Sequence, residues 1–475
     1  MKSNEYPIDT ILIALLCAAV LILVGTLLRK AIPVLDRIHL PASVIGGVVG
    51  LIIGPQLLGA AILEGTHLEK QFTDIYAVGK LLPGYLIVVV FAALMMGSKI
   101  PTIGKIWSNS SPNLVTGYLI TWGQYIVGII VTILVLIPFF DANPLSSVLI
   151  AIGFQGGYGT AAGLGNTYDE LGFDAGYDLA LGMATAGKVS AILVGLILIN
   201  FAVKKDQMQS PKEKKSEHLK EDISEKKAKT LFAKKRREEY LSADALLLHF
   251  SLLCIAIIIG WGLKEVLLII ESFFLTKGQD GMVQYIPLFP MALIGGICLQ
   301  LFISKIGKEK LLNEHHLHSI SHSFLDLLIV VAIATLSLKA LQENWALLTI
   351  LICTGIGWNL LVFFFIAPRL YKNAPWTRGL GDFAHSTGAT TSGLLLMKVV
   401  DPNDKTGGRS SFSLKQPFYE PIVGGGFITA MALPLVHAAG LWVALAITTM
   451  LFLITVIIAL KAVGVKKDNP LFDQK

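Results

Sequence analysis

Apolar runs about as long as a lipid bilayer is thick recur along the whole chain. A helix that crosses the hydrocarbon core needs about 20 mostly apolar residues, and most runs approach that length. Eleven runs are present, at residues 9–29, 43–62, 81–97, 115–140, 176–203, 245–274, 286–304, 323–341, 345–368, 417–436 and 438–462. Because a bilayer cannot hydrogen-bond a backbone, such continuous runs are typical of helices. The sequence therefore predicts an all-α, polytopic membrane protein.

Composition and charge support this class and exclude two others. The chain has 475 residues, of which 54% are hydrophobic and 15% charged, so a soluble protein is excluded. The net charge of +6 could suggest a nucleic-acid partner. However, 13 of the 39 Lys and Arg residues lie in 204–240, together with 8 acidic residues. A mixed-charge segment of this kind is typical of a solvated loop, and we expect no nucleic-acid partner.

A glycine-rich segment between the fourth and fifth runs is not typical of a spanning helix. Residues 156–167 hold five glycines and no charge. Each glycine costs a helix about 1 kcal/mol relative to alanine. Irregular backbone at membrane depth is tolerated only where protein or a watery cavity satisfies it. The segment predicts a re-entrant hairpin, at about 146–167, whose turn presents backbone amides to a bound molecule.

Three segments of the first half recur in the same order in the second half. The matches pair 159–164 with 389–394, 41–47 with 290–296, and 92–99 with 332–339. Collinear matches indicate a duplicated unit, a feature of secondary transporters. We expect two repeats, 1–203 and 243–437, each with five spans and one hairpin, the second hairpin lying at about 379–398. A charged cytoplasmic loop at 204–242 would join them, and one additional span with a tail would follow at 438–475.

The distribution of basic residues predicts the orientation. Lys and Arg follow the first, third, fifth, seventh, ninth and eleventh runs, whereas the alternate loops have few. If the basic loops are cytoplasmic, the N-terminus lies outside and the C-terminus inside. Five spans per unit is an odd number, so the two repeats would be inverted. Their hairpins would then enter the membrane from opposite faces.

Several of these motifs resemble those of a known family. The order Pro41-x-x-x-Ile45-Gly-Gly, the hairpin 156–160 (Gly-Gly-Tyr-Gly-Thr), and 388–390 (Gly-Ala-Thr) followed by 421–424 (Pro-Ile-Val-Gly) is similar to the bacterial sodium:glutamate symporters. The resemblance covers most of residues 8–440. It implies a homodimeric transporter of the bacterial inner membrane that takes up glutamate with Na⁺ by an elevator-type movement. It implies no enzyme activity, and Na⁺ as the coupling ion without a further cofactor.

Small polar residues in the two hairpins are the candidate substrate- and ion-binding residues. Hydroxyl and amide oxygens suit sodium, and free backbone amides at a helix N-terminus suit a carboxylate. The candidates are Gln155, Gly156, Gly157, Gly159, Thr160, Asn166, Thr167, Ser386, Thr387, Gly388, Thr390, Thr391 and Ser392. The alternative is that these residues only hold closely packed helices together. Both interpretations stay open at this point.

Two charged residues fall inside apolar runs. Lys188 lies about halfway along the fifth run, where a lysine costs about 2.5–3.5 kcal/mol on insertion scales and needs a partner. Glu420 lies at the start of the tenth run, at the place that matches Ala184 in the repeat. We therefore predict a buried Lys188–Glu420 pair, whose ammonium could fill space taken by a sodium ion in other family members.

Other functions fit parts of the same sequence. Symport of another small carboxylate or coupling to protons fits the same fold. An intramembrane aspartyl protease is a distant alternative, because Asp382 follows a Gly-x-Gly motif and Asp178 follows Tyr177. Two such aspartates would have to face each other and share a proton. A channel is a third class, but hairpins from opposite faces suit an occluded site better.

A group of histidines and one aspartate have no assigned role. His315, His318 and His322 share one helical face and could bind a metal. Their place in the basic loop after the seventh run favours an interfacial face instead. Asp326 would be either a charge favoured at a helix start or a residue lining a cavity.

Overall fold

The protein is a bundle of helices. The computed structural model describes residues 8–33, 35, 40–66, 68–97, 103–206, 243–274 and 281–463, and every regular element in them is helical. Nine helices of this described part are long and apolar enough to cross a membrane. The prediction of an all-α polytopic membrane protein is confirmed. Most of the predicted charged loop, at 207–242, and the tail at 464–475 lie outside the described residues.

The first half of the described chain contains ten helices. They are α1 (Ile8–Ala31), α2 (Ala42–Ile53), α3 (Leu58–Leu63), α4 (Leu68–Ala93), α5 (Ile103–Val131), α6 (Ile137–Phe140), α7 (Leu149–Phe154), α8 (Gly157–Gly163), α9 (Gly165–Glu170) and α10 (Gly176–Lys205). A π-helical turn, Thr132–Leu136, joins α5 to α6, and a 3-10 turn, Pro144–Val148, leads into α7.

The second half also contains ten. They are α11 (Ala243–Ser272), α12 (Leu288–Lys305), α13 (Glu314–Ala334), α14 (Leu338–Glu343), α15 (Trp345–Leu361), α16 (Ala367–Leu370), α17 (Pro375–Gly388), α18 (Thr390–Val400), α19 (Gly408–Tyr419) and α20 (Phe427–Ile458). A π-helical turn, Val362–Ile366, joins α15 to α16, and another, Ala459–Val463, follows α20. Two 3-10 turns, Val283–Tyr285 and Glu309–Leu311, precede α12 and α13.

Glycine contacts between the early helices of each half are closely similar. Gly25 of α1 lies so close to the Ala42 carbonyl of α2 that a side chain there would collide with it. Gly260 of α11 meets the Met291 carbonyl of α12 in the same way. Small residues at such crossings let membrane helices approach closely. Both halves therefore begin with the same kind of helix pair.

The second span of each half contacts the third span of the other half. Gly47 of α2 packs against α13, and a Cβ built on Gly47 would lie 3.0 Å from the Val330 carbonyl oxygen. Gly296 of α12 packs against the Ala92 carbonyl of α4. The second span of each half thus packs on the third span of the other, which ties α1–α4 and α11–α13 into one group of helices.

The chain reverses direction within α20, at Gly440. Its φ of 80° and ψ of 167° are not helical. Before α20, the Tyr419 hydroxyl donates to the Gly117 carbonyl over 3.1 Å. After α20, Ala459 packs with Val115 on the same part of α5. A straight helix of 32 residues would place these ends about 48 Å apart. The two arms therefore run antiparallel, with the bend at Gly440 between them.

Several predicted spans have different bounds in the structure, among them the second, third and eighth. The run 43–62 is split into α2 and α3 around Gly54-Pro55, because proline removes a backbone donor and disfavours a helical residue before it. The third span begins at Leu68 rather than 81, and the eighth begins at Glu314 rather than 323. Both helices start with charged or polar turns that hydropathy does not detect.

Candidate functional site

The predicted first hairpin is a discontinuous helix. Helix α7 ends at Phe154, and α8 begins at Gly157, whose φ is 62°. Non-glycine residues rarely adopt this left-handed backbone conformation, so glycine allows the break. The segment 155–160 is largely buried, with Gln155 3% and Thr160 1% exposed. Gly159, a further candidate, packs against Ile87 of α4.

The predicted second hairpin is broken in a corresponding place. Helix α17 ends at Gly388 and α18 begins at Thr390, with Ala389 between them at φ 80° and ψ 163°. A non-glycine residue in this conformation is strained by about 1–3 kcal/mol, and such strain concentrates at functional sites. A Cβ built on Gly157 would lie 4.0 Å from the Cβ of Ala389. The two breaks therefore meet.

A third break, between α19 and α20, joins the first two. It spans Glu420 to Gly426, and Gly425 has a φ of 103°. Thr160 Oγ1 donates to the Gly425 carbonyl over 2.9 Å. A Cβ on Gly425 would lie 2.9 Å from Gly156 Cα, so only glycine fits there. The sequence analysis did not predict this break, although the run Gly424-Gly425-Gly426 after Pro421 could have indicated it.

Gln155 connects the first break to helices α5 and α19. Its Oε1 accepts from Thr121 Oγ1 over 2.8 Å and from the Tyr419 hydroxyl over 3.0 Å. Its Nε2 is buried and has no hydrogen-bond partner among the described residues. Buried polar groups are normally hydrogen-bonded, so this donor is available to a ligand or a water molecule. Sequence reasoning missed Thr121 and Tyr419, because both lie in apolar runs.

Thr390 and Thr391 place two opposite charges beside the second break. Thr390 Oγ1 donates to a carboxylate oxygen of Glu420 and lies 3.2 Å from His385 Nε2. Lys188 Nζ donates to Thr391 Oγ1 over 3.0 Å. Each charged group is thus held by one of two consecutive threonines at the start of α18.

The predicted Lys188–Glu420 ion pair is not formed. No ion pair joins these two described residues, because each side chain is bonded to its own threonine instead. Both side chains do contact the start of α18 at the second break. The suggestion that Lys188 replaces a sodium ion depended on the pair and is not retained.

Ser386, Thr387 and Ser392 lie behind the second break. Asn359 Nδ2 donates to Thr387 Oγ1 over 2.9 Å and to the Ser386 carbonyl over 3.1 Å. Gln124 Nε2 also donates to the Ser386 carbonyl, over 2.8 Å. Ser392 Oγ donates to the Gly388 carbonyl at the end of α17, across the break. The bonds of Thr387 and Ser392 fit a packing role, whereas Ser386 Oγ is buried and has no hydrogen-bond partner among the described residues, so it is available to a ligand or a water molecule like Gln155 Nε2.

Asn166 and Thr167 lie away from the three breaks. They are in α9, more than two helical turns beyond Gly157. Asn166 is exposed, and Thr167 Oγ1 donates to the Tyr285 carbonyl over 3.3 Å. The structure therefore does not bring these two candidates together with the others.

A buried ion pair that the sequence did not predict lies next to the second break. Lys415 Nζ is 2.6 Å from Asp382 Oδ1, and their side chains are 0% and 1% exposed. The Tyr371 hydroxyl donates to the other carboxylate oxygen. The ammonium also lies 4.8 Å from the ring centroids of Phe412 and of Tyr419, a cation–π distance. The pair ties α17 to α19, the two helices that flank the second and third breaks.

The two aspartates of the protease alternative have separate environments. Asp178 lies 3.4 Å from Lys80 and accepts from the Ser337 backbone amide over 2.7 Å. Asp382 is instead paired with Lys415. An aspartyl dyad requires two facing carboxylates that share a proton, and this arrangement does not provide one.

The histidines and Asp326 all lie on α13. His318 and His322 are exposed, and His318 pairs with Glu314 over 3.6 Å. No three metal-ligating residues cluster within the described ranges. Asp326 accepts from Ser43 Oγ of α2 over 2.6 Å. Because α13 begins at Glu314, Asp326 is not at the helix start, so that interpretation is wrong.

Three broken helices that meet inside a bundle of candidate membrane-spanning helices, with two charges beside them that form no ion pair, are consistent with a transport site. A family model described as sodium/glutamate symporter matches residues 8–403. The chain belongs to this family. Its members are transporters, so the protease alternative is wrong and the protein is not an enzyme. The match includes the first two breaks but ends before Lys415 and Glu420. No curated protein matches the chain.

Proposed function

We propose that the protein is a secondary transporter that takes up glutamate together with Na⁺, and that both bind where the three breaks meet. The observation that carries this proposal is the convergence of Gly157, Ala389 and Gly425 at one buried place. Discontinuous membrane helices expose backbone groups that no neighbouring turn satisfies, and transporters use these groups to bind ions and substrates. The family match names the same two solutes.

The chemistry around the breaks suits both solutes. Sodium is a hard cation that prefers oxygen ligands. Oxygen donors are present in Thr160, in Thr390 and in the backbone of 420–426. The carboxylates of glutamate suit the ammonium of Lys188 and the first backbone amides of α18. Na⁺ and glutamate could therefore share the site.

Two inverted repeats with re-entrant hairpins are the architecture we propose. The glycine contacts of α1–α2 and α11–α12 support it. A second support comes from α5 and α15, which both end in a five-residue π-helical turn followed by a four-residue helix with proline at its second position. Such corresponding irregularities are hard to explain without a duplication. In inverted repeats the two broken segments enter from opposite faces, as alternating access requires.

An elevator-type movement would carry the broken helices past the group formed by α1–α4 and α11–α13. Gly159 and Gly163 of α8 support this idea, because both pack directly on Ile87 of α4. A surface of small residues has few side-chain knobs that would resist sliding. The charge distribution supports an outside N-terminus and a cytoplasmic C-terminus in the bacterial inner membrane. The homodimer is proposed from family resemblance.

Uptake into proteoliposomes tests the function. Purified protein is reconstituted, and labelled glutamate uptake is measured with an inward sodium gradient, an inward proton gradient, or neither. We expect accumulation only with the sodium gradient, and competition by unlabelled glutamate but not by citrate. Equal uptake without a sodium gradient would contradict sodium coupling. Accumulation driven by the proton gradient alone would establish proton symport instead.

A further inference from the structure

Lys188 is an ammonium with unused hydrogen-bonding capacity beside the site. It lies in the middle of α10, is half-buried, and donates one hydrogen bond, to Thr391. An ammonium has three donors. Within the described chain no carboxylate pairs with it. A lysine at membrane depth normally faces a partner or a watery cavity, so Lys188 is positioned for a mobile anionic group.

Glu420 is its counterpart of opposite sign. It is half-buried at the first residue of the third break and accepts from Thr390. A carboxylate has about four acceptor positions, and no cationic side chain of the described residues forms an ion pair with it. The His385 ring contacts the same threonine hydroxyl rather than the carboxylate, and Lys415 acts on Glu420 through its charge without an ion-pair contact.

The two charges reach the same helical turn without forming an ion pair with each other. Thr390 and Thr391 are consecutive residues at the start of α18, and each holds one of the charged groups by a hydrogen bond. Elsewhere in the same region the chain joins opposite charges directly, as Lys415 and Asp382 show. A separated ammonium and carboxylate at one site are complementary to a ligand that carries both a carboxylate and an ammonium group.

We propose that Lys188 and Glu420 select an α-amino acid over a plain dicarboxylate. Lys188 receives a substrate carboxylate, and Glu420 receives the substrate ammonium. This inference rests on the proposed function, because it assigns the residues that recognise each end of glutamate. It adds a specificity role to two residues, one of which lies beyond the part of the chain that the family model matches.

Ligand binding to purified protein tests the assignment. Isothermal titration in detergent with Na⁺ present compares glutamate with glutarate, which has both carboxylates but no ammonium. The wild type should bind glutamate at least 100-fold more tightly than glutarate. Glu420→Gln should reduce that preference at least tenfold by weakening glutamate alone. Lys188→Met should weaken both ligands by similar factors and leave the preference unchanged.

Matched variants on exposed positions provide controls. Lys398→Met, further along α18, and Glu343→Gln, at the end of α14, remove the same charges away from the breaks. Both should bind the two ligands as the wild type does. If Glu420→Gln does not elute as a folded protein, Glu420→Asp is measured instead. It keeps the charge, so it should retain the preference for glutamate while binding it more weakly.

The possible results separate the two proposals. If wild-type protein binds no glutamate with Na⁺ present, the proposed function fails. If it binds glutamate but Glu420→Gln keeps the full preference, or Glu420→Asp loses it, the ammonium assignment is overturned while the function stands. The assignment is also overturned if Glu420→Gln changes only the sodium concentration needed for binding, because Glu420 would then be a sodium ligand.

Discussion

Two sets of opposite charges lie near the meeting point of the broken helices, and their arrangements differ. Lys415 and Asp382 are in direct contact at 2.6 Å and fully buried. Lys188 and Glu420 are only half-buried, and each is bonded to a threonine. The first set is complete without a ligand and links α17 to α19. The second set is incomplete, so it is suited to binding. A charge inside the helix bundle can therefore position the site or recognise its ligand, depending on whether its partner is present.

The largest expected effect comes from breaking the complete pair. Asp382→Asn or Lys415→Met leaves one buried charge without its partner, which costs about 3–5 kcal/mol in typical proteins. The double variant removes both charges and should recover most of the lost stability. Denaturant unfolding of the purified single and double variants measures this. Additive losses in the double variant would contradict the description of the pair as self-contained.

Glu420→Gln should behave in the opposite way. Without ligand its stability should match that of the wild type, since no ion pair is lost. At a glutamate concentration 100 times the dissociation constant, the wild type should gain about 2.7 kcal/mol by mass action. The variant, which should bind glutamate at least tenfold more weakly, should gain at most about 1.4 kcal/mol at that same concentration. Thermal unfolding with and without glutamate checks both statements. A large loss of stability without ligand would place Glu420 among the structural charges.

A smaller effect is expected at the contact between the first and third breaks. Thr160→Val removes the donor to the Gly425 carbonyl and leaves that buried group unpaired, at a cost of about 1–3 kcal/mol. Thr160→Ser keeps the hydroxyl and is the control. Sodium-driven glutamate uptake should fall at least tenfold in the valine variant and stay near wild type in the serine variant. Similar rates in both variants would show that this contact is unimportant for transport.

The smallest effect concerns Asp404, in the loop between α18 and α19. Burial opposes its ionisation, but hydrogen bonds from Ser410 and Arg409 outweigh that and hold the pKa of Asp404 below its usual value. A lowered pKa contributes stability above the unfolded-state pKa, near 4, and loses it as the pH falls through the folded-state value. Asp404→Asn should therefore lower the melting temperature slightly at pH 7. The decrease at pH 6 should be nearly the same. A difference that disappears between pH 7 and 6 would contradict the lowered pKa.

Parts of this architecture were readable from the sequence for physical reasons. Continuous apolar runs predict membrane helices, and glycines at 156–159 mark a place where a helix breaks. The second break was predicted from its similarity to the first, although Ala389 itself gives no local signal for a positive φ.

Other features depend on contacts between distant segments. The third break lies inside the apolar run 417–436, where hydropathy is insensitive to backbone conformation. The Lys415–Asp382 pair joins residues on two helices, and nothing in either segment identifies the partner. The same limit explains why the predicted Lys188–Glu420 pair is not formed. The repeat places Lys188 and Glu420 near each other, but nothing in the sequence indicates that Thr391 and Thr390 hold them.

Glutamate affinity in two charge-neutral variants tests the central distinction most directly. One is the double variant Asp382→Asn/Lys415→Met, and the other is the double variant Lys188→Met/Glu420→Gln. Saturation binding of labelled glutamate in the presence of Na⁺ is measured for both and for the wild type. The dissociation constant of the first variant should stay within about threefold of the wild-type value. The dissociation constant of the second should rise at least 100-fold, which corresponds to about 2.7 kcal/mol of binding free energy. Loss of binding in the first variant with full binding in the second would contradict the account.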